Sequence, residues 1–193
     1  MPPHIASLNV AMARPVEIQG RKVMTAIGKQ PVEGPRAVKA LGIEGDEQAD
    51  LSVHGGLSKA VYAYPREHYA FWQTVRAQAR VTLWDEPLPP GALGENLTLV
   101  GLLETQVWIG DVLRFADCEL AVSEPRFPCF KFNAAMGFEQ AAKLMSANAW
   151  CGFYLAVRVA GTLRAGETFE LVPGQREVGV TELFRARVAA QRR

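Results

Sequence analysis

Apolar positions along this chain fall mostly in short runs broken by glycine and proline, a rhythm of strands more than of helices. Ile5 to Val10 sets Ala6, Leu8 and Val10 on one face at period two, which predicts a first strand. Arg14 to Gly20 reads as turn and Val23 to Ile27 as a second strand, after which Gly28, Pro31, Gly34 and Pro35 punctuate a loop. Further strands are expected over Ala60–Tyr64, Leu97–Val100, Val107–Phe115, Glu119–Val122 and Phe153–Val159, with a last stretch through Thr162–Leu171. Between them, Asp85–Gly94 is rich in proline and glycine and reads as a surface excursion.

The period lengthens in only a few places. Tyr69, Trp72 and Val75, widened by Phe71, form one helical stripe, and Pro65 suits a first helical turn because its missing N–H is not needed there. A helix over Pro65 to about Arg80 follows, with its aromatic face in the core and His68 as a structural residue. Phe138–Met145 suits a short helix. Thr181 to about Gln191 reads as a last helix, capped by Thr181 and packing through Leu183, Phe184 and Val188. Many short strands with so few helices predict a mainly β domain, barrel or sandwich, with peripheral helices. That domain is expected over residues 1–172, with a short C-terminal helical tail over 173–193.

Composition narrows the class without naming it. Hydrophobic residues make up 49% and charged residues 21% of 193, which are globular values for one well-cored domain. A net charge of +1 gives no general argument for nucleic acid or membrane partners, and neither is expected. No run approaches the roughly 18 apolar residues of a membrane span, and the first residues lack the order of a signal peptide, so a cytoplasmic protein is expected. The tail is locally basic, with Arg176, Arg185, Arg187, Arg192 and Arg193 against Glu177 and Glu182; a solvated helix face is the simpler reading. Cys118, Cys129 and Cys151 are odd in number, far apart and without a CxxC, which fits neither a disulfide framework, nor a zinc site, nor an iron–sulfur cluster.

Three stretches carry candidate chemistry. In Glu124-Pro-Arg-Phe-Pro-Cys-Phe-Lys-Phe-Asn133, two prolines stiffen the backbone and should hold Glu124 to Cys129 as an extended loop. A thiol presented between Arg126 and Lys131 suits a reactive thiolate or a soft metal ligand, while a small buried core thiol stays open on local grounds. In His54-Gly-Gly-Leu-Ser-Lys59, adjacent glycines let backbone amides approach an anionic or polar group, with Lys59 adding charge; an ordinary Gly-Gly turn is the plainer reading. In Gly94-Glu-Asn96, Asn96 is either a turn residue or a bidentate amide that reads a heterocycle edge.

Taken together these clusters acquire an order. Gly45-Asp-Glu-Gln-Ala-Asp50, His54-Gly-Gly56, Tyr64-Pro-Arg-Glu-His-Tyr69, Gly94-Glu-Asn-Leu97, Gly110-Asp111 and Pro125-Arg-Phe-Pro-Cys129 follow one another as in MOSC domains. The chain resembles the stand-alone bacterial members of that family over roughly Ile5 to Leu171. The resemblance implies a MOSC-type β-barrel that binds the pterin-type molybdenum cofactor, with Cys129 as thiolate ligand to molybdenum and catalytic residue. It implies that His54, Gly55, Gly56, Ser58 and Lys59 line the pterin or phosphate side of the cleft, with Asn96, Arg126, Lys131 and Asn133 as further cofactor-binding residues. The implied activity is reduction of N-hydroxylated compounds such as hydroxylaminopurines and amidoximes. A persulfide carrier on Cys129 and a cofactor carrier without turnover are the alternatives. No haem, flavin or cluster motif is present, so electrons are expected from a separate donor protein; a pyridoxal phosphate site is not expected, and assembly as a homodimer is left open. Family members continue into a longer helical region after the barrel, whereas only about twenty residues follow Val172 here.

Overall fold

A computed structural model describes residues 1–49 and 55–191. Asp50, His54, Arg192 and Arg193 lie outside the described residues, so the polar cluster loses its last member and the His-Gly-Gly motif its histidine.

Among the described residues thirteen strands and four α-helices follow one another. The first six strands are β1 (His4–Val10), β2 (Arg14–Ile18), β3 (Arg21–Thr25), β4 (Gln30–Pro31), β5 (Arg36–Lys39) and β6 (Gly42–Ile43). Next come β7 (Val61–Pro65), α1 (Tyr69–Gln78), β8 (Leu97–Val100), β9 (Val112–Arg114) and β10 (Glu119–Pro125). Then follow α2 (Phe130–Met136), α3 (Ala141–Asn148), β11 (Phe153–Val159), β12 (Gly161–Leu163), β13 (Glu170–Val172) and α4 (Val180–Ala190).

Eight strands share one sheet in the order β13-β9-β10-β11-β7-β8-β1-β4. All pairs are antiparallel except β7–β8, whose parallel pairing is made possible by the long crossover through α1 and the proline-rich loop. β12-β5-β6 form a small second sheet, and β2-β3 pair only with each other. The pairing is open, because β13 and β4 end the order without meeting among the described residues. Ile5 N nevertheless donates to Glu167 O (2.9 Å) and Gly166 N to Ile5 O (2.7 Å), and His4 bridges to Thr168. These bonds bring β1 beside the turn that leads into β13 and curl the sheet around one core of Trp72, Tyr64, Phe132, Phe153, Phe184, Ile5 and Leu8.

Several expectations shift by identifiable causes. In β1 the register slips between Ile5 and Ser7, so Ile5 and Leu8 both face the core and the expected Ala6/Leu8/Val10 face is not the buried one. Arg14–Gly20 is a strand and a tight turn, the turn being only Gln19-Gly20, both at positive φ (51° and 74°) as a two-residue hairpin requires. Pro65 closes β7 by pairing with Leu99, and a 3-10 turn over Arg66–His68 precedes α1. Of the expected Val107–Phe115 strand only Val112–Arg114 forms. The short helix expected at Phe138–Met145 lies at Ala141–Asn148. α4 starts at Val180 with Gly179 at its N-cap, so Thr181 sits inside the first turn; its Oγ1 is buried and has no hydrogen-bond partner among the described residues.

The tail after Val172 is fastened to the body. Ile109 N donates to Val178 O (3.0 Å) and Val180 N to Val107 O (2.9 Å). Phe184 is fully buried and stacks on Phe127 at 5.1 Å between ring centres. His68 is buried with Nε2 2.8 Å from Glu104 Oε2, its ring stacked on Trp150. Among the described residues no helix is long and apolar enough to cross a membrane.

Candidate functional site

One cleft gathers Lys59, Asn96, Arg126, Cys129 and Lys131, half of the candidate residues. Its wall is made by Thr25, Ala26, Ile27 and Lys29 after the hairpin, by Asp46 to Ala49, by Lys59, Ala60 and Tyr62, by Gly94 and Asn96, by Arg126, Cys129 and Lys131, and by Tyr154. About 680 Å³ of space lies within it, solvent at its open mouth included.

The cysteine stretch is the expected stiff, extended segment, but its first two residues belong to a strand. β10 runs on to Pro125, with Glu124 paired to Tyr154 and Pro125 to Phe153. Proline is tolerated there because it closes the ladder. Arg126, Phe127 and Pro128 then carry the chain across to Cys129, which is extended (φ −127°, ψ 178°) and caps the start of α2. The helix sets in immediately after the thiol, so strand and helix fix both ends of a very short arch. α4 backs the arch from behind through the Phe184–Phe127 stack, and Arg187 lies over the same Phe127 ring and 3.7 Å from Glu124.

Charge is arranged around the sulfur. Arg126 is 6% exposed, its guanidinium 4.7 Å from the centre of the Phe132 ring and 5.4 Å from that of Tyr62, with Nη1 3.4 Å from Met145 Sδ. Burial pulls its pKa down, but the Tyr62 and Tyr154 phenols and the Cys129 thiol outweigh that and leave it raised. Such a guanidinium stays charged and favours an anion at the neighbouring thiol. Burial likewise pushes the Tyr62 and Tyr154 phenols up, so both remain neutral donors. Lys59 lies over the Tyr154 ring and 3.9 Å from Glu124. Half-buried Cys129 contrasts with Cys118 and Cys151, which are buried; burial pushes the Cys118 thiol up to about 12 and Cys151 upward as well.

The remaining expected residues separate. Lys131 reaches the cleft and donates to Met24 O (3.0 Å), which ties α2 to the hairpin. Asn96 is buried with both ends of its amide engaged: Tyr62 N donates to Oδ1 (3.1 Å) and Nδ2 donates to Asn9 O (3.2 Å). Asn133 stands away from the cleft wall, where its Oδ1 accepts from Ala142 N (2.7 Å) at the start of α3. Gly56 takes φ 91° and donates from N to Gln48 Oε1 (2.7 Å), while Ser58 is exposed and its carbonyl accepts from the Ser123 hydroxyl. Gly55, Gly56 and Ser58 flank the cleft rather than line it.

Two charged residues of the wall were not singled out from sequence. Lys29 and Asp46 form a buried ion pair, with Asp46 Oδ1 also accepting from Ala11 N (2.8 Å). Burial lowers the Lys29 pKa against the opposing pull of Asp46. Asp46 belongs to the polar cluster that opens the ordered series of motifs, the one available hint; nothing local marks Lys29. Glu95, beside Asn96, is fully buried and serves the scaffold: it accepts from Tyr69 Oη, Gly91 N (2.8 Å), Leu93 N (3.1 Å) and Thr98 Oγ1 (2.8 Å). Gly91 has to be glycine, because at φ 83° a Cβ would meet Lys29 O at 2.6 Å.

A curled β-sheet with an arginine-prolyl-cysteine arch in a cationic cleft defines a class, and residues 50–170 match the MOSC domain family, to which this chain belongs. Within that family it is YiiM-like. It is 36% identical to the protein YiiM of Escherichia coli over 89% of this chain and 77% of that one. Identity to YflK of Bacillus subtilis, described as an uncharacterized protein, is also 36%, over 95% and 79% of the two chains. A Gibberella moniliformis protein named Reductase is 35% identical over 87% of this chain, which spans 30% of that longer protein. The crystal structure of YiiM from Geobacillus stearothermophilus superposes with a TM-score of 0.77 and 29% identity, covering all of this chain and 87% of that one.

Proposed function

We propose that the cleft holds the pterin-type molybdenum cofactor and that the protein reduces N-hydroxylated compounds, hydroxylaminopurines and amidoximes among them. The observation that carries this reading is the position of Cys129: a half-buried thiol in the cleft wall, beside a charged Arg126. The donor set suits the group. No cluster of three histidine, cysteine or acidic side chains stands ready for a metal among the described residues. A metal would therefore arrive with most of its ligands already supplied, and one soft thiolate from the protein would complete them. Four cations in the wall, Lys29, Lys59, Arg126 and Lys131, match the negative charge of a phosphate-bearing ligand.

Bound there, the cofactor would supply the two-electron removal of the hydroxyl oxygen; the balanced reaction is R–NHOH + 2e⁻ + 2H⁺ → R–NH₂ + H₂O. The chain's own residues do the rest. Cys129 Sγ acts as the protein ligand, aimed by the arch. Arg126 sets a positive charge beside that sulfur, and Lys59 and Lys131 hold the phosphate end. Tyr154, kept neutral by burial, offers a hydroxyl donor along one wall, while the Tyr62 hydroxyl is committed to Cys151 O (2.9 Å). Lys29 holds a proton on Nζ against Asp46 Oδ1 on another. Asn96 holds Tyr62 N and Asn9 O with one bond at each end of its amide, which leaves a second N–H and a second lone pair for a pterin. Electrons come from a separate protein, and a half-buried thiol of this kind fits the reducing cytoplasm.

The test is turnover by protein produced in a host that makes the cofactor and reduced chemically. Conversion of 6-hydroxylaminopurine to adenine, lost in Cys129→Ala, supports the reading. No turnover in a fully metallated sample sinks it, leaving a cofactor carrier. Cyanide-labile sulfur on Cys129 without molybdenum points instead to a persulfide carrier.

A further inference from the structure

We infer that the mouth of the cleft, together with the β2–β3 hairpin, is the docking face for an acidic electron-carrier protein. This rests on the reductase reading, which requires electrons from outside the chain.

Two independent observations meet at this face. The first is apolar. Met12, Met24, Leu57 and Phe130 are all exposed, and each is one or two residues along the chain from a residue that lines the cleft or is bonded to its wall. Met12 lies between Ala11 and Ala13, whose amides are held by Asp46 and Glu47 of the wall. Met24 precedes Thr25, and Phe130 stands between Cys129 and Lys131. Leu57 is two residues before Lys59. Scattered single exposed apolar residues need no explanation, but four of them on the chain segments that build one opening mark an interaction surface.

The second observation is charge. The cleft wall carries four cations against Asp46 and Glu47. The hairpin adds Arg14, Arg21 and Lys22 against Glu17. Together they hold a net +4, whereas the whole chain is only +1, so the rest of the molecule is net negative. A field divided in this way steers an acidic partner to the cleft and turns its other faces away. The hairpin pairs with no other strand, stands beside the opening, and is fastened by Lys131 to the helix that begins at the cysteine. A partner seated on it would bring a surface redox group to the cleft mouth, delivering the two electrons of each turnover one at a time while two protons come from solvent.

The probe is a reduced bacterial flavodoxin, an acidic one-electron carrier, used with the loaded full-length protein. The variant is Arg21→Glu with Lys22→Gln, which changes the hairpin tip without placing two acids opposite each other at Glu17. The expected result is a fall of at least about tenfold in flavodoxin-driven kcat/KM, and a loss of its salt sensitivity. Turnover driven by dithionite-reduced benzyl viologen should stay within about twofold of wild type, since a small donor needs no docking face. Unchanged flavodoxin-driven turnover overturns the proposal. If the wild type fails even with viologen, the reductase reading has failed, and docking is read separately by titrating flavodoxin against the protein through its flavin fluorescence. Binding that the variant loses upholds the docking face; binding that is absent or insensitive to the variant overturns it. Variant-sensitive binding to anionic lipid vesicles, with none to flavodoxin, also overturns it in favour of a membrane surface.

Discussion

Replacing Glu95 by glutamine should weaken the fold by about 2 kcal/mol, although the shape of the side chain hardly changes. The carboxylate is fully buried and takes four donors, three on Oε1 and one on Oε2. A glutamine keeps most of these bonds by placing its carbonyl where Oε1 stands. Its amino group then faces Leu93 N–H across 3.1 Å, so one bond is lost and two buried donors oppose each other. An unsatisfied buried polar group costs about 1–3 kcal/mol. For a domain of this size that corresponds to a fall in Tm of roughly 4–8 °C. Glu95→Ala orphans all four donors, and the same arithmetic gives at least about 4 kcal/mol, a large share of an ordinary domain's stability of about 5–15 kcal/mol. The consequence reaches the cleft, because the loop held by Glu95 packs Gly91 against the Lys29 carbonyl. Thermal and urea unfolding of both variants decide the matter. A glutamine variant melting within 1 °C of wild type, or an alanine variant as stable as wild type, refutes the reasoning.

Other outcomes follow from the same geometry. Phe184→Ala removes the ring stacked behind Phe127 and should cost about 3–5 kcal/mol in urea unfolding; a loss under about 1 kcal/mol would mean that α4 does not brace the arch. Iodoacetamide at pH 8 should modify native protein once, at Cys129, since burial holds the Cys118 thiol up at about 12 and pushes Cys151 upward too; mass spectrometry showing label on either buried cysteine first would contradict this. Lys29 has a folded pKa below its unfolded value of about 10.4. Between the two values the unfolded chain holds more protons, so stability relative to Lys29→Met should rise with pH across that window. A flat or falling difference in urea unfolding as the pH approaches about 10.4 from below would count against a Lys29 pKa lowered by burial.

Much of the framework was readable before any coordinates, and the gaps have physical causes. β7, β8, β11 and α4 announce themselves by apolar runs or stripes bounded by glycine and proline. The β2–β3 hairpin did not, because its outer face is polar and its two-residue turn is Gln19-Gly20 rather than the stronger Asn-Gly signal. α2 was missed because two prolines and a cysteine precede it, and Cys129 is an unusual N-cap. Asn133 looked like part of the cysteine site through sequence proximity, yet one helical turn carries it round to α3. Lys29 and Asp46 stand seventeen residues apart and become a pair only when the loop after the hairpin folds across the polar cluster. Glu95 and Asn96 show the same limit: the motif is visible as letters, while its ties to Tyr69, Tyr62 and Asn9 reach far back along the chain.

The central claim is that Cys129 supplies a sulfur to molybdenum. The most direct measurement is molybdenum X-ray absorption on protein loaded in a cofactor-producing host, compared with Cys129→Ser loaded in the same way. The account predicts one more sulfur neighbour at the metal in wild type than in the variant. Equal sulfur counts in both, with the pterin retained, would contradict it.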